Sequence, residues 1–310
     1  MFQWVATRFG GPEVLEMRNV DLAPPRPGEV TIEVRAAGMN PVDFKHFMPG
    51  GDPNVLPLRI GDEVAGIITA MGPDTQLATG GGLVGDEVVA FRVKGGYASD
   101  LTARAEDVFA KPAKLSFPEA ANLLLVGTTA SEMLHASKVV RGETILLHGA
   151  AGGVGVAVLQ QARLLGATVI GTADAKNFHH VSRYGGVPVQ YGRGLERRVR
   201  ALAPGGVVAA LDAVGSTEAI DVSEALVSNR DRIITIANRD RAESDGLRWI
   251  GSVIPASEEY RKSQRLRLLH LAAEGHLEVP IGASYPLTKG PEAIAALMSA
   301  HPYGKIALVA

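Results

Sequence analysis

Hydrophobic and polar positions change rhythm near residue 118. Before it, short apolar runs at 29–36, 64–71, 87–91 and 97–102 are broken by Gly and Pro, the spacing of strands and turns in a compact β-rich domain. After it, helical stretches at 118–139 and 154–165 alternate with short apolar runs at 144–148, 168–172, 207–211 and 232–236. Strands separated by helices predict parallel βαβ units, so the chain reads as α/β with two domains. A further helix is expected over 258–275, where Leu266, Leu269 and Leu271 lie among Arg261, Lys262, Arg265 and Arg267. Its basic residues read as a solvated face. A helical run at 291–298 and an apolar run at 306–309 close the chain.

The most informative local pattern follows the apolar run 144–148, where Gly149-Ala-Ala-Gly-Gly-Val-Gly155 opens a helix. Glycines let backbone approach a pyrophosphate, and the free N–H groups at a helix start stabilise its charge. The fingerprint G-x-G-x-x-G is spelled here by Ala150, Gly152 and Gly155, with Gly153 and Val154 between, so alanine holds the first glycine position. The strand before the turn, the helix after it and a second strand at 168–172 supply the context that the fingerprint needs. A dinucleotide is therefore the expected ligand, on a doubly wound parallel sheet.

Cofactor choice rests on the end of that second strand. Ala173 stands where an acid that takes ribose hydroxyls is found in NAD sites, and Asp174 and Lys176 follow. Lys176 placed against a 2′-phosphate predicts NADPH. Asp174 placed against the ribose, with Lys176 as a surface residue, predicts NADH. The missing acid at Ala173 favours NADPH.

Charge and composition narrow the function classes. Lys and Arg total 31 against 33 Asp and Glu, for a formal charge of −2, so no global field draws the chain to nucleic acid or anionic lipid. No apolar run approaches the ~20 residues of a membrane helix, and no signal-peptide core follows Met1, so a cytoplasmic location is expected. There is no cysteine, which removes disulfides, thiolate metal sites and cysteine nucleophiles together. The eight histidines show no metal spacing: His179 and His180 are adjacent and diverge on a helix, and His46 reads as a surface residue or a proton donor. No metal is expected.

Taken together, the ordered motifs resemble the zinc-independent quinone oxidoreductases of the medium-chain dehydrogenase/reductase superfamily, the branch that includes zeta-crystallin. They are Phe9-Gly-Gly-Pro-Glu-Val-Leu15, Ala37-Gly-Met-Asn-Pro-Val-Asp43, Gly61-Asp-Glu-Val-Ala-Gly66, Val84-Gly-Asp-Glu-Val88, Gly96-Tyr-Ala98, Gly127-Thr-Thr-Ala130, the 149–155 turn, Leu211-Asp-Ala-Val-Gly215 and Gly304-Lys305. The resemblance implies a GroES-like catalytic domain of residues 1–119 and 256–310 around a Rossmann domain of residues 120–255. In zinc-dependent relatives a cysteine and a histidine of the first domain hold catalytic metal. Asn40 lies in the stretch that carries the cysteine, and Asp62 replaces the histidine of the Gly-His-Glu pattern.

The same resemblance assigns roles. Asn40 is expected to donate to a substrate oxygen or hold nicotinamide, against a reading as a turn residue before Pro41. Lys45 is a candidate donor, because some relatives carry tyrosine there. Thr129 is expected at nicotinamide, Tyr191 at the adenosine phosphate, Val214, Gly215, Ile236 and Ala237 beneath the nicotinamide ribose and ring, and Lys305 at the cofactor. Without a metal to polarise an isolated carbonyl, quinones and α,β-unsaturated carbonyls are the sensible acceptors, since conjugation spreads the charge that hydride brings. The expectation is an NADPH-dependent reductase of such compounds, a homodimer by family likeness through the segment near Trp249 and Ile250. The alternative is a dinucleotide-binding redox sensor or structural protein with little turnover.

Overall fold

The computed structural model describes residues 1–299 and 303–310. Chain contacts divide these into two compact units, the first made of residues 1–125, 269–275 and 279–310 and the second of residues 126–268 and 276–278. Among the described residues no helix is long and apolar enough to cross a membrane.

The first unit opens with strands β1 (Phe2–Ala6), β2 (Leu15–Asn19) and β3 (Glu29–Met39). Helix α1 (Pro41–Lys45), strands β4 (Leu58–Arg59), β5 (Glu63–Met71), β6 (Glu87–Phe91), β7 (Asp100–Arg104) and β8 (Val108–Ala110), and helix α2 (Phe117–Ala121) follow. The run expected at 29–36 is the first part of β3, where Val30, Ile32 and Val34 are buried while the residues between them are half-exposed. From Ala36 to Met39 every residue is buried, because α2 packs over β3 and β5 there. β7 starts later than the expected 97–102 run. Tyr97 gives its N–H to Ile60 and its carbonyl to Trp4, and Ala98 bridges Gln3, so these residues belong to a different pairing.

The second unit carries α3 (Leu124–Ala136), β9 (Thr144–His148), α4 (Gly153–Leu165), β10 (Thr168–Ala173), α5 (Phe178–Arg183), β11 (Gly186–Gln190) and α6 (Leu195–Leu202). It continues with β12 (Ala209–Asp212), α7 (Thr217–Leu226), β13 (Ile233–Thr235), α8 (Arg239–Asp245), β14 (Arg248–Trp249) and α9 (Pro255–Glu274). The single helix expected over 118–139 is two helices. Asn122 ends α2, gives its side-chain amide to Pro118 O and accepts the N–H of Met39, which turns the chain before α3.

The strand order β11-β10-β9-β12-β13-β14 makes one six-stranded sheet, and every pairing in it is parallel. Renumbered from β9 the order is 3-2-1-4-5-6, the doubly wound arrangement that the alternating pattern predicts. The central strands read as continuous apolar runs because both faces are covered; Ile145, Leu146 and Leu147 are fully buried. The chain returns to the first unit with β15 (Ile281–Pro286), α10 (Gly290–Ser299) and β16 (Lys305–Val309). β16 pairs antiparallel with β3, Ile306 opposite Met39, in a seven-stranded sheet.

Helix α9 departs from the boundary expected at residue 255, since most of it belongs to the second unit. Its arginines explain this. Arg261 and Arg265 are buried, not part of a solvated face. Arg261 Nε donates to Glu132 of α3 at 2.5 Å, Arg265 pairs with Glu258 at 3.1 Å, and Tyr260 stacks on His135. Removing one partner of such a buried pair strands the other charge. Arg261→Leu is thus expected to lower the unfolding free energy by about 3–5 kcal/mol, and Arg261→Leu/Glu132→Leu to recover most of it. Urea denaturation of both variants checks this; equal losses would show that packing, and not the stranded carboxylate, sets the cost.

Candidate functional site

In the second unit, β9 and β12 are neighbours whose connections leave in opposite directions along the sheet, and ligands bind doubly wound sheets at such a point. The turn after β9 is built for close backbone approach. Gly149 takes φ +81°, where its N–H reaches Thr172 Oγ1 at 3.1 Å, and Ala150 gives its N–H to Thr172 O at 3.0 Å. A Cβ on Gly155 would lie 2.2 Å from Gly149 O, so only glycine fits beneath the turn. Ala150 is fully buried, which suits a methyl in the position of the first fingerprint glycine.

Helix α4 begins at Gly152 with no side-chain cap, whereas Ser216 caps α7 and Asn238 caps α8. The first-turn N–H groups of Gly153, Val154 and Gly155 lack intrahelical partners and carry the positive end of the helix dipole. A dinucleotide pyrophosphate fits these residues: the cradle excludes side chains, and the donors lack a competing cap.

The turn after β12 is held by a residue that the sequence reading left without a role. Asp212 is fully buried and accepts from Val214 N and Gly215 N, both at 2.9 Å, and from Thr235 Oγ1 at 2.7 Å. Thr235 Oγ1 in turn accepts the N–H groups of Ala237 and Asn238, and Asn238 Nδ2 donates to Gly215 O. One carboxylate thus fixes both strand ends that carry Val214, Gly215, Ile236 and Ala237. An acid closing an apolar strand just before a glycine turn was the available signal. His148, at the end of β9, sits 3.1 Å from Ser223 Oγ; burial pushes its imidazole down to about 4, so it is neutral near pH 7.

Around the second strand end, Ala173 is buried and Asp174 caps the short turn 175–177, accepting the N–H of Lys176. Lys176 Nζ lies 3.6 Å from Asp174 Oδ2, with both side chains exposed to solvent. Tyr191 is exposed just beyond β11, the strand paired with β10. Arg198 braces this loop by donating to the carbonyls of Gln190, Gly192 and Arg193. Thr129 is buried within α3.

The first unit holds a second polar cluster, where β3 ends and β16 begins. Asn40, Asp43, Glu63 and Lys305 are buried there. Asn40 Nδ2 donates to Glu63 Oε1 at 2.8 Å, and Lys305 Nζ donates to Asn40 Oδ1 and to Met39 O. Glu63 Oε2 accepts the N–H of Leu125, and Lys305 lies 3.8 Å from Glu63 Oε1. Asp43 Oδ2 accepts from Asn40 N at 2.7 Å and Tyr97 Oη at 2.8 Å, while its Oδ1 is buried without a partner. Lys45 ends α1 exposed, outside this cluster.

Burial pushes the Glu63 and Asp62 carboxyls up and Lys305 down, with the Glu63 and Asp43 carboxylates opposing the fall at Lys305. Asp43 is pushed up to about 8, first by burial and then by the nearby charge of Asp62. The folded protein therefore keeps a proton that the unfolded chain releases near pH 4. Stability from this group is present below pH 4 and is lost as pH rises to about 8. Asp43→Asn is expected to cost about 1–3 kcal/mol at pH 5 through its unpaired buried amide. It should also make the loss of stability between pH 5 and pH 8.5 shallower; Asp62 and Glu63, shifted the same way, keep some slope. Urea midpoints at both pH values test this, and an unaltered slope would place the titration elsewhere.

Comparison with known proteins places the chain in a family. Residues 26–141 match the alcohol dehydrogenase GroES-like domain family, and residues 178–308 match the zinc-binding dehydrogenase family. The chain is 30% identical to human quinone oxidoreductase over 306 residues, 92% of this chain and 90% of that protein. A mycobacterial protein solved with NADPH superposes with a TM-score of 0.86 at 30% identity, covering 100% of both chains. Escherichia coli quinone oxidoreductase, also solved with NADPH, gives a TM-score of 0.86 at 26% identity over 100% of both chains. With relatives matched along nearly its whole length, a GroES-like sheet unit and a 3-2-1-4-5-6 parallel sheet, the chain belongs to the quinone oxidoreductase family of the medium-chain dehydrogenase/reductase superfamily.

Proposed function

We propose that the protein reduces quinones or α,β-unsaturated carbonyls with NADPH, and that hydrogen bonds from the protein take the part that a metal plays in zinc-dependent relatives. The observation that carries this reading is the uncapped start of α4 beneath the glycine turn at the strand switch point, a built receptor for a pyrophosphate. When bound, the reduced nicotinamide supplies a hydride. Ala150, Gly152, Gly153, Val154 and Gly155 would hold the pyrophosphate. Val214, Gly215, Ile236 and Ala237, with Thr129, would line the nicotinamide half, and Asp212 keeps the loop of the first two in place.

Asn40 is proposed to serve the acceptor. Its Nδ2 carries two hydrogens, of which Glu63 takes one. The other has no acceptor among the described residues and is available to the oxygen that gains charge as hydride arrives. In so dry a place a preorganised donor is worth more than in water. A divalent cation at the same point would meet the Lys305 ammonium on Asn40 Oδ1, and the chain offers no thiolate. Asn40→Ala is expected to lower kcat by about 2–3 kcal/mol of transition-state stabilisation while the affinity for NADPH changes little. Steady-state rates with a panel of quinones and enones test this, and unchanged rates with every acceptor would return Asn40 to a turn residue. Absence of NADPH oxidation at 340 nm across the panel would support the reading as a binder without turnover. A homodimer is part of the same proposal.

For cofactor choice, Lys176 and Tyr191 are proposed to receive the 2′-phosphate. Asp174 works against this: its carboxylate accepts the Lys176 N–H and faces Lys176 Nζ, where it competes with a phosphate for the cation. Lys176→Ala is expected to reduce the preference for NADPH over NADH about tenfold, the worth of one charge-assisted hydrogen bond. Asp174→Ser should increase the preference by removing a negative charge near the phosphate. Ratios of kcat/KM for the two cofactors decide; a wild type that prefers NADH, and loses this in Asp174→Ser, would assign the ribose to Asp174.

A further inference from the structure

Lys305 lies 265 residues from Asn40 along the chain, yet the two side chains meet in the interior of the first unit. Family likeness points Lys305 at the dinucleotide, but its geometry points elsewhere. The β16–β3 pairing sets Ile306 opposite Met39, which places Lys305 beside the carboxyl end of β3. There its Nζ donates to Met39 O at 2.6 Å and to Asn40 Oδ1, and Glu63 Oε1 stands 3.8 Å away. The side chain is only 6% exposed. Of the three ammonium hydrogens, Met39 O and Asn40 Oδ1 take two, and the Glu63 carboxyl stands nearby, so its shown partners all belong to its own unit.

An amide between an ammonium and a carboxylate has one allowed orientation. Lys305 can only donate, so it must face the amide oxygen, which leaves the amide nitrogen to donate to Glu63 Oε1 at 2.8 Å. The remaining Nδ2 hydrogen is thereby fixed in direction. Glu63 pulls on one hydrogen and weakens the other as a donor, while the positive charge on Oδ1 draws electron density back and offsets that loss.

We propose that Lys305 is a positioning residue for the reduction, pinning and polarising Asn40 so that its second amide hydrogen meets the substrate oxygen. This rests on the reading of Asn40 as the donor to the acceptor. The ammonium supplies positive charge near the developing oxyanion through one intervening amide, without touching substrate. Glu63 is its partner: it fixes the nitrogen end and balances the buried charge.

The test is a double-mutant cycle on the full-length protein, with menadione as acceptor, NADPH affinity from fluorescence titration and folding from thermal melts. Lys305→Met is expected to lower kcat about tenfold, the worth of a charge-assisted hydrogen bond, and to leave the NADPH dissociation constant within about twofold. In the Asn40→Ala background the same substitution should have almost no further effect on kcat, because Lys305 works through that amide. If Lys305→Met does not fold with Glu63 stranded, Lys305→Met/Glu63→Gln removes both charges and takes its place in the cycle, with the same expected loss. A loss of NADPH affinity with kcat unchanged would overturn the proposal and restore Lys305 to the cofactor. Losses that multiply in the double mutant would also overturn it. Should Asn40→Ala slow turnover while Lys305→Met does not, only the role of Lys305 falls; should Asn40→Ala itself be silent, the reading of Asn40 falls with it.

Discussion

Burying a lysine and a glutamate beside one another is costly, because each charge leaves water and their attraction returns only part of the loss. In this protein the cost is met by geometry. Lys305, Glu63 and Asn40 satisfy one another, with Met39 O and Leu125 N closing the remaining ends. Such an arrangement requires β16 to lie against β3, α2 to cover the carboxyl half of β3, and the chain to turn sharply at Asn40 and Pro41. Once these hold, the amide of Asn40 has a single orientation. A hydrophobic trio of similar volume would serve stability as well, so a buried ionic chain at this point speaks for a role in orientation.

Orientation also governs the second unit, by different means. There the proposed receptor is the backbone itself, and side chains are kept out: alanine and glycine form the turn, and α4 begins without a cap. The single buried carboxylate of Asp212 sets the neighbouring strand ends by accepting two backbone N–H groups and the Thr235 hydroxyl. In one unit a charged chain fixes a side-chain donor, and in the other a carboxylate fixes a backbone frame. Both convert hydrogen bonds buried on folding into preorganised polarity, which costs nothing further when charge develops during reaction.

Local features of this architecture were legible in the sequence. The strands β9, β10, β12 and β13 announce themselves as apolar runs because both faces of a parallel sheet are covered, whereas β11, at the sheet edge and only partly buried, does not, and the glycine turn needs no distant information. Features that depend on chain return were not legible. Asp43 and Tyr97 are 54 residues apart, and nothing local marks the phenol as the partner of that carboxyl. Glu63 sits beside Asp62 in one motif, and the missing histidine drew attention to the wrong neighbour. Arg261 and Arg265 looked like a solvated face because a charged residue on a helix carries no mark of a buried partner in another helix. The break at Asn122 was hidden because its cause, the N–H of Met39, lies 83 residues earlier.

The central claim is that Asn40 has one hydrogen committed to Glu63 and one reserved for the oxygen of the acceptor. Proton and nitrogen NMR of the Asn40 side-chain amide, in protein loaded with oxidised cofactor and titrated with a phenolate as mimic of the charged product, observes this directly. One of the two amide protons should move strongly downfield as the phenolate binds, while the proton held by Glu63 stays nearly fixed. Two unmoved protons at saturating phenolate would contradict the account.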